Sequence, residues 1–223
     1  MRTLWAAACV FLLAFGSFAN CDEPAAPADE KDFVALFDGK TLDGWQGALN
    51  GHEARDGAVV CKPGGGGNLY TKKEFANFIL RFEFKLTPGA NNGIGIRAPL
   101  EGDPAFAGIE VQVLDDGHEK YKGIAPYQAH GSVYGVIAAK RGFLKKAGEW
   151  NTEEITCDGK HLKVILNGET IVDGDIAKAS DPKTIDGREH PGLKREAGHI
   201  AFCGHGDEVW YRNLRIKELK SNP

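Results

Sequence analysis

From Leu80 to Leu86 apolar and polar residues alternate, and Phe78 extends the apolar file past Ile79. Phe78, Leu80, Phe82, Phe84 and Leu86 are apolar, with Arg81, Glu83 and Lys85 set between them. A period of two predicts a strand with one buried face. Ile109 to Val113 repeats the pattern: Ile109, Val111 and Val113 are predicted to enter a core, and Glu110 and Gln112 to share the opposite, open face about 7 Å apart. Glu154–Cys157, Leu162–Leu166 and Thr170–Val172, joined by Asp158-Gly159 and Asn167-Gly168, predict a meander, and His199–Cys203 and Val209–Ile216 a closing pair. Asp-Gly or Asn-Gly pairs recur from Asp38-Gly39 to Asp186-Gly187, and such pairs adopt the left-handed conformations of tight hairpins. No stretch keeps a helical apolar period over three turns. Many short strands between regular turns predict an all-β sandwich or barrel. The irregular stretches 98–107, 117–131 and 175–197 are long for such a fold, and long loops are where sites sit.

Length and charge narrow the classes. The 223 residues allow one large all-β domain or two small ones, and 42% hydrophobic with 26% charged residues is ordinary for a soluble globular protein. A net charge of −4 gives no reason to expect nucleic acid or an anionic membrane as partner. At the amino terminus Arg2 precedes the uncharged apolar run Leu4–Phe15 and the small-residue site Ser17-Phe18-Ala19. Residues 1–19 are therefore read as a secretory signal peptide, too short for a membrane span. Export to the periplasm or the outside is expected. A second reading uses Cys21, placed where a lipoprotein is processed, which would anchor the exported protein to a membrane. Residues 20–32, rich in Pro, Ala and acids, read as a flexible tether, and residues 33–219 as the folded domain. Cys21, Cys61, Cys157 and Cys203 form no close pair, so either a disulfide or small buried side chains suit them.

The chemistry-bearing residues each carry a plain alternative. Glu110 and Gln112 suit polyol binding or acid/base work, and equally a solvated strand face. Arg97 follows Ile94 and Ile96 on a strand and can pair with Glu110 across strands. His205, between two glycines, is a proton carrier or a turn residue. Asp115-Asp116-Gly117 is a turn or a pair of carboxylates suited to a cation. Trp45, Trp150 and Trp210 are large enough for core packing, with a sugar platform as the other use. Tyr134 alternates with Val133 and Gly135 and can face a cleft.

Leu36-Phe37-Asp38-Gly39-Lys40-Thr41-Leu42-Asp43-Gly44-Trp45 looks like the opening signature of a known family. Arg81–Leu86, Asn92-Gly93-Ile94-Gly95-Ile96-Arg97, Glu110–Asp115, Gly148-Glu149-Trp150-Asn151, Leu166-Asn167-Gly168, Gly204-His205-Gly206 and Tyr211–Ile216 follow in the family's order. Over about residues 33–219 the chain resembles the 3-keto-disaccharide hydrolase type domain, also described as a 3-keto-glucoside lyase and 3-keto-2-hydroxy-glucal hydratase. The resemblance implies a concanavalin A-like jelly roll of two antiparallel sheets, one presenting a concave face. The chain departs from the family at Ile109, where an aromatic is common, and at Phe202-Cys203-Gly204, where Gln often precedes the closing His-Gly. The first change would remove a sugar-stacking ring, and the second would alter a neighbour of the site.

The activity so implied is cleavage of oxidised glycosides. A ketone at C3 acidifies the C2 hydrogen; a base removes it, the enolate oxygen is stabilised, and the C1 substituent leaves, after which water can add back to give net hydrolysis. That chemistry needs a base, an acid and a cation or donor at the enolate oxygen. For that chemistry the candidates are Glu110 and His205 for proton transfer, Arg97, the polar residue of its strand, as the enolate clamp, and Gln112 and Asn92 for hydroxyl binding, with Asp115 and Tyr134 as further substrate-binding residues. A divalent ion on Glu110, His205 and Asp115 is compatible with such donors. A non-catalytic carbohydrate-binding module on the same fold is the alternative class. A classical glycosidase would need a second carboxylate where Gln112 stands.

Overall fold

The structure is a computed structural model and describes residues 30–220. The signal and lipoprotein readings of residues 1–21 lie outside the described residues, as does most of the tether. The compact unit that begins at Asp32 is the subject below.

The described residues of this unit form thirteen strands and two single-turn α-helices, with four short 3-10 turns between them. In chain order they are β1 (Val34–Ala35), β2 (Trp45–Gly47), β3 (His52–Arg55), β4 (Ala58–Cys61), β5 (Gly67–Phe75), β6 (Phe78–Leu86), β7 (Asn91–Ala98), α1 (Pro104–Ala107) and β8 (Ile109–Leu114). There follow β9 (Trp150–Asp158), β10 (His161–Leu166), β11 (Glu169–Asp175), α2 (Ile176–Ala179), β12 (Gly198–Gly204) and β13 (Val209–Glu218). Eight strands form one antiparallel sheet, in the order β11-β10-β9-β6-β13-β4-β3 with β1 added beside β13. Five form the other, in the order β2-β5-β12-β7-β8. The fold is thus an all-β sandwich of two antiparallel sheets. No helix among the described residues is long and apolar enough to cross a membrane.

The alternation on β6 does what its period requires: all five apolar side chains are at most 2% exposed. Each such burial stabilises by roughly 1.5–3 kcal/mol. A file of rings joins the sheets. Trp45 and Phe202 from the small sheet stack at 5.1 Å, Phe202 meets Tyr211 of the large sheet at 4.3 Å, and Tyr211 meets Phe82 at 6.1 Å. Phe202 therefore faces the core, and Cys203 after it turns to the outer face beside Gly95. Ile109 also points inward, 1% exposed, so no ring is lost from the outer face at that position. Cys61, Cys157 and Cys203 are free and buried, packing as small apolar groups.

The meander forms as predicted, with β9, β10 and β11 paired in sequence. Its turns contain Gly159 at φ +59 and the pair Asn167 and Gly168 at φ +51 and +89. The closing strands differ from expectation. β12 and β13 lie in opposite sheets, β12 between β5 and β7 and β13 between β6 and β4, so the segment around His205 carries the chain from one sheet to the other. Two expected turns are also absent: Asn92-Gly93 sits inside β7 and Asp173-Gly174 inside β11.

Candidate active site

The small sheet ends at β8, whose register with β7 sets Glu110 opposite Gly95 and Gln112 opposite Gly93. Val111 and Val113 fill the core, and Glu110 and Gln112 project from the other face. That face is not open, as the alternation alone suggested. Both side chains belong to residues only 6% exposed, because all three long irregular stretches fold over them. Together they enclose a pocket of about 360 Å³, within the range of small-molecule sites. Asp103, Ala105 and Phe106 come from the first stretch, Tyr121, Ile124 and Gln128 from the second, and Arg188 from the third; Tyr134, Asn91, Leu114 and His205 complete the lining.

Gly93 explains how a carboxylate lies flat on this sheet. A Cβ at that position would stand 1.8 Å from Glu110 Oε1 and 2.6 Å from its carboxyl carbon. The side chain of Glu110 therefore occupies the space that the glycine leaves, a close approach that strand glycines permit. Gly95 beside it leaves room for Pro104 of α1, 3.0 Å from where its Cβ would be. Burial, and then the negative charge of Asp103, push the Glu110 carboxyl up to about 8. On the same face of the sheet, burial and then Glu110 raise the Cys203 thiol. Gln112 Nε2 donates to Asn91 Oδ1 at 3.2 Å. Asp103 is partly committed: its Oδ1 accepts from the Ala105 N–H at 3.0 Å and caps α1. Phe106 and Tyr127 each meet Tyr134 edge-on, at 6.4 and 5.9 Å, and the Arg188 guanidinium lies 3.9 Å over the Phe106 ring.

Of the residues singled out by sequence, Glu110, Gln112, His205 and Tyr134 meet in this pocket, and Arg97, Asn92 and Asp115 stand apart from it. Arg97 is 1% exposed and bonds elsewhere. Its guanidinium donates to the carbonyls of Ala76, Gly159 and Arg195 and to Asn77 Oδ1, at 2.8–3.2 Å. It is a staple between loops, neither an enolate clamp nor a partner of Glu110. The alternation fails there because Arg97 adopts φ +49 and the register of β12 against β7 slips between His199 and Ala201. Asn92 points to the core side, wholly buried, and its neighbour Asn91 reaches the pocket. Asp115 Oδ2 accepts from the Gly89 N–H at 2.8 Å. The trio Glu110, His205 and Asp115 does not converge, and the described residues contain no group of three or more His, Cys, Asp or Glu side chains placed to hold a metal. The residues therefore do not fit the divalent ion considered from sequence, and no step below passes through one.

Sequence reading missed Asp103, Phe106 and Arg188. The signal available was their place in the long irregular stretches, not any local motif.

Two antiparallel sheets packed face to face, with a polar, aromatic-walled cleft on one of them, place the protein in the jelly-roll class of folds. A carbohydrate-binding module of Bacillus subtilis shares the fold at a TM-score of 0.52 and 10% identity, covering 78% of this chain and 96% of that one. More specifically, residues 32–217 match the 3-keto-alpha-glucoside-1,2-lyase-like domain, and the chain belongs to that family, a membership that supports a carbohydrate-active hydrolase. A 3-keto-disaccharide hydrolase of Bacteroides thetaiotaomicron is 29% identical over 241 residues, 90% of this chain and 83% of the relative. The crystal structure of a candidate glycosyl hydrolase from Parabacteroides distasonis superposes with a TM-score of 0.72 at 32% identity, covering 84% of this chain and 99% of that one.

Proposed function

We propose that this chain cleaves 3-keto-glycosides by elimination, with Glu110 as the base. The observation that carries the reading is a carboxyl at the pocket floor, raised to about 8 by burial and by Asp103. Such a group is a stronger base than an ordinary carboxylate and is still ionised in part near neutrality. The Glu110 carboxylate takes the C2 hydrogen of a sugar whose C3 is a ketone. The C–H electrons form the C2–C3 double bond of an enolate, whose oxygen is stabilised by the Arg188 guanidinium at the pocket mouth. The enolate collapses to a C1–C2 double bond, the C1–O bond breaks, and His205 protonates the departing oxygen. Water added to the resulting enone at C1 completes net hydrolysis. Phe106 and Tyr134 offer apolar faces to the sugar, and Gln112 and Asn91 offer hydroxyl partners.

The family assignment and the hydrolase relative support the substrate class. Asp103 gives the pocket a second carboxylate, so the test must separate this chemistry from ordinary glycoside hydrolysis. The purified protein is incubated with matched disaccharides that differ only at C3, ketone against hydroxyl. Cleavage of the ketone alone, with transient absorbance of the conjugated enone, is the expected result. Cleavage of the hydroxyl form supports a two-carboxylate glycosidase, and binding without cleavage supports a carbohydrate-binding module. Export belongs to the same proposal: mass spectrometry of the native protein is expected to find a chain starting at Asn20, or at a lipidated Cys21.

A further inference from the structure

Beneath the pocket wall lies a second acid–imidazole pair that the reaction above does not use. His190 and Asp186 side chains are 1% and 2% exposed. His190 Nε2 lies 3.0 Å from Asp186 Oδ2, and its Nδ1 lies 3.0 Å from the Ala105 carbonyl oxygen. Both ring nitrogens thus face oxygen atoms, one on Asp186 and one on Ala105. The other carboxylate oxygen, Asp186 Oδ1, accepts from the Arg188 backbone N–H at 3.0 Å and lies 2.8 Å from the Thr184 hydroxyl, which is also 2.7 Å from the Arg188 carbonyl oxygen. Burial opposes the charge on Asp186, but these donors prevail and hold its carboxyl below the ordinary range.

The pair touches each side of the pocket's upper wall. The His190 ring packs on Phe106 at 4.9 Å, and its Nδ1 bond holds the residue before it. Asp186 Oδ1 accepts from the Arg188 backbone N–H, and the Thr184 hydroxyl beside it reaches the Arg188 carbonyl oxygen. The third contact is Gly135, next to Tyr134, at φ +73. A Cβ there would stand 2.5 Å from Asp186 Oδ2 and 2.6 Å from His190 Nε2, so only glycine admits the pair, and the Asp186 N–H closes on the Gly135 carbonyl at 3.2 Å. Segments 105–106, 134–135 and 186–190 are distant in sequence and have this one buried pair in common.

We infer that Asp186 and His190 are positioning residues that hold the Arg188 guanidinium over Phe106 at the pocket mouth, and so set where positive charge meets the substrate oxygen. This rests on the function proposed above for its kinetic consequence, though not for its geometry. It explains why an exposed arginine on a long loop can act at a defined point, since placement within the wall decides how well a fixed charge meets a developing one.

Two arms test it in the full chain. The first needs no substrate. The Arg188 Nε–Hε signal in proton–nitrogen NMR, assigned through its loss in Arg188→Lys, is expected to be shifted upfield by the Phe106 ring. Asp186→Asn and His190→Gln, used as independent variants in case one folds poorly, are expected to return it to the position of a free arginine. The Arg212 signal, whose guanidinium lies 4.0 Å over Trp150, is expected to hold. An Arg188 signal that stays shifted in a folded variant overturns the proposal. The second arm is a double-mutant cycle on kcat/KM with a 3-keto-disaccharide. Asp186→Asn alone is expected to cost ten- to a hundredfold, in the range of a misplaced group, and to cost almost nothing when added to Arg188→Ala. Additive losses would mean a merely structural role and overturn it. If no 3-keto-sugar is turned over, the function proposed above falls and the NMR arm decides the positioning role by itself.

Discussion

The two outer faces of this sandwich carry similar residues and use them differently. On the large sheet, Trp210 lies between Arg55 at 4.3 Å and Lys85 at 4.3 Å, and Trp150 between Lys85 at 5.0 Å and Arg212 at 4.0 Å. Glu208 bonds both Arg55 and the Trp210 indole at 2.8 Å, and Glu83 bonds Arg212. Each of these rings is met by two cations, and the carboxylates beside the rings are held by donors. On the small sheet, three loops bury Glu110 with a second carboxylate nearby and a glycine floor below. Paired charges on an exposed face are worth little and do little. A carboxyl removed from water without such donors is moved toward neutrality, where it can carry protons. What separates a decorated surface from a site is thus the partnering of the charges, not the residue types.

The largest effect that sharpens this contrast is expected from Glu110→Gln. Turnover of a 3-keto-glycoside should fall by about 10²–10⁴-fold, the usual contribution of a positioned proton carrier. Stability should move the other way. With a folded value of about 8 against 4.5 unfolded, the protonated carboxyl's contribution is full below pH 4.5 and is lost as pH rises to about 8, because the folded state then holds a proton that the unfolded state has released. At about 1.4 kcal/mol per unit, the loss is on the order of a few kcal/mol. The variant lacks it, so thermal melts should show the wild type falling behind the variant between pH 5 and pH 8. A wild-type and variant pair whose melting temperatures run parallel over that range would contradict the assignment.

Arg188→Ala is expected to lower kcat/KM by roughly 10²-fold, in keeping with loss of one stabilising group at a developing oxyanion, with little change in melting temperature because the side chain is exposed. Gly93→Ala should reduce both activity and stability, since its methyl claims the space of the Glu110 carboxylate; overpacking of this kind costs about 1–3 kcal/mol. The smallest effect is expected on the other face. Lys85→Ala should cost about 1 kcal/mol in denaturant melts, as two partly exposed cation–π contacts are lost, and leave kcat/KM unchanged. A strong activity loss there would break the contrast between the faces.

The core and the strands were legible because their period is local: Phe78 to Leu86 declares its buried face within nine residues. Glu110 and Gln112 were legible for the same reason, and the three long stretches that wall the site could be seen as departures from it. What alternation could not give is the company each residue keeps. Arg97 reads like a site-facing strand residue until its positive φ turns it into the loops. Asn92-Gly93 reads like a hairpin turn, yet that glycine is there to admit Glu110. Arg188 and Asp103 carry no motif; Arg188 reaches the pocket through packing fixed far away in sequence, by His190 on Ala105, and Asp103 stands at the start of α1, which it caps. The resemblance supplied the chemistry; the structure takes Arg97 out of the pocket and brings Arg188 into its lining.

The pH dependence of kcat/KM for a 3-keto-disaccharide tests the central claim most directly, because it reports the ionisation of the free enzyme's essential groups. If Glu110 is the base, the rate rises with pH along a limb whose midpoint lies near 8, and Glu110→Gln removes that limb with the activity. A profile that is flat or falling from pH 6 to pH 9, or a Glu110→Gln variant that retains the wild-type rate and limb, would contradict it.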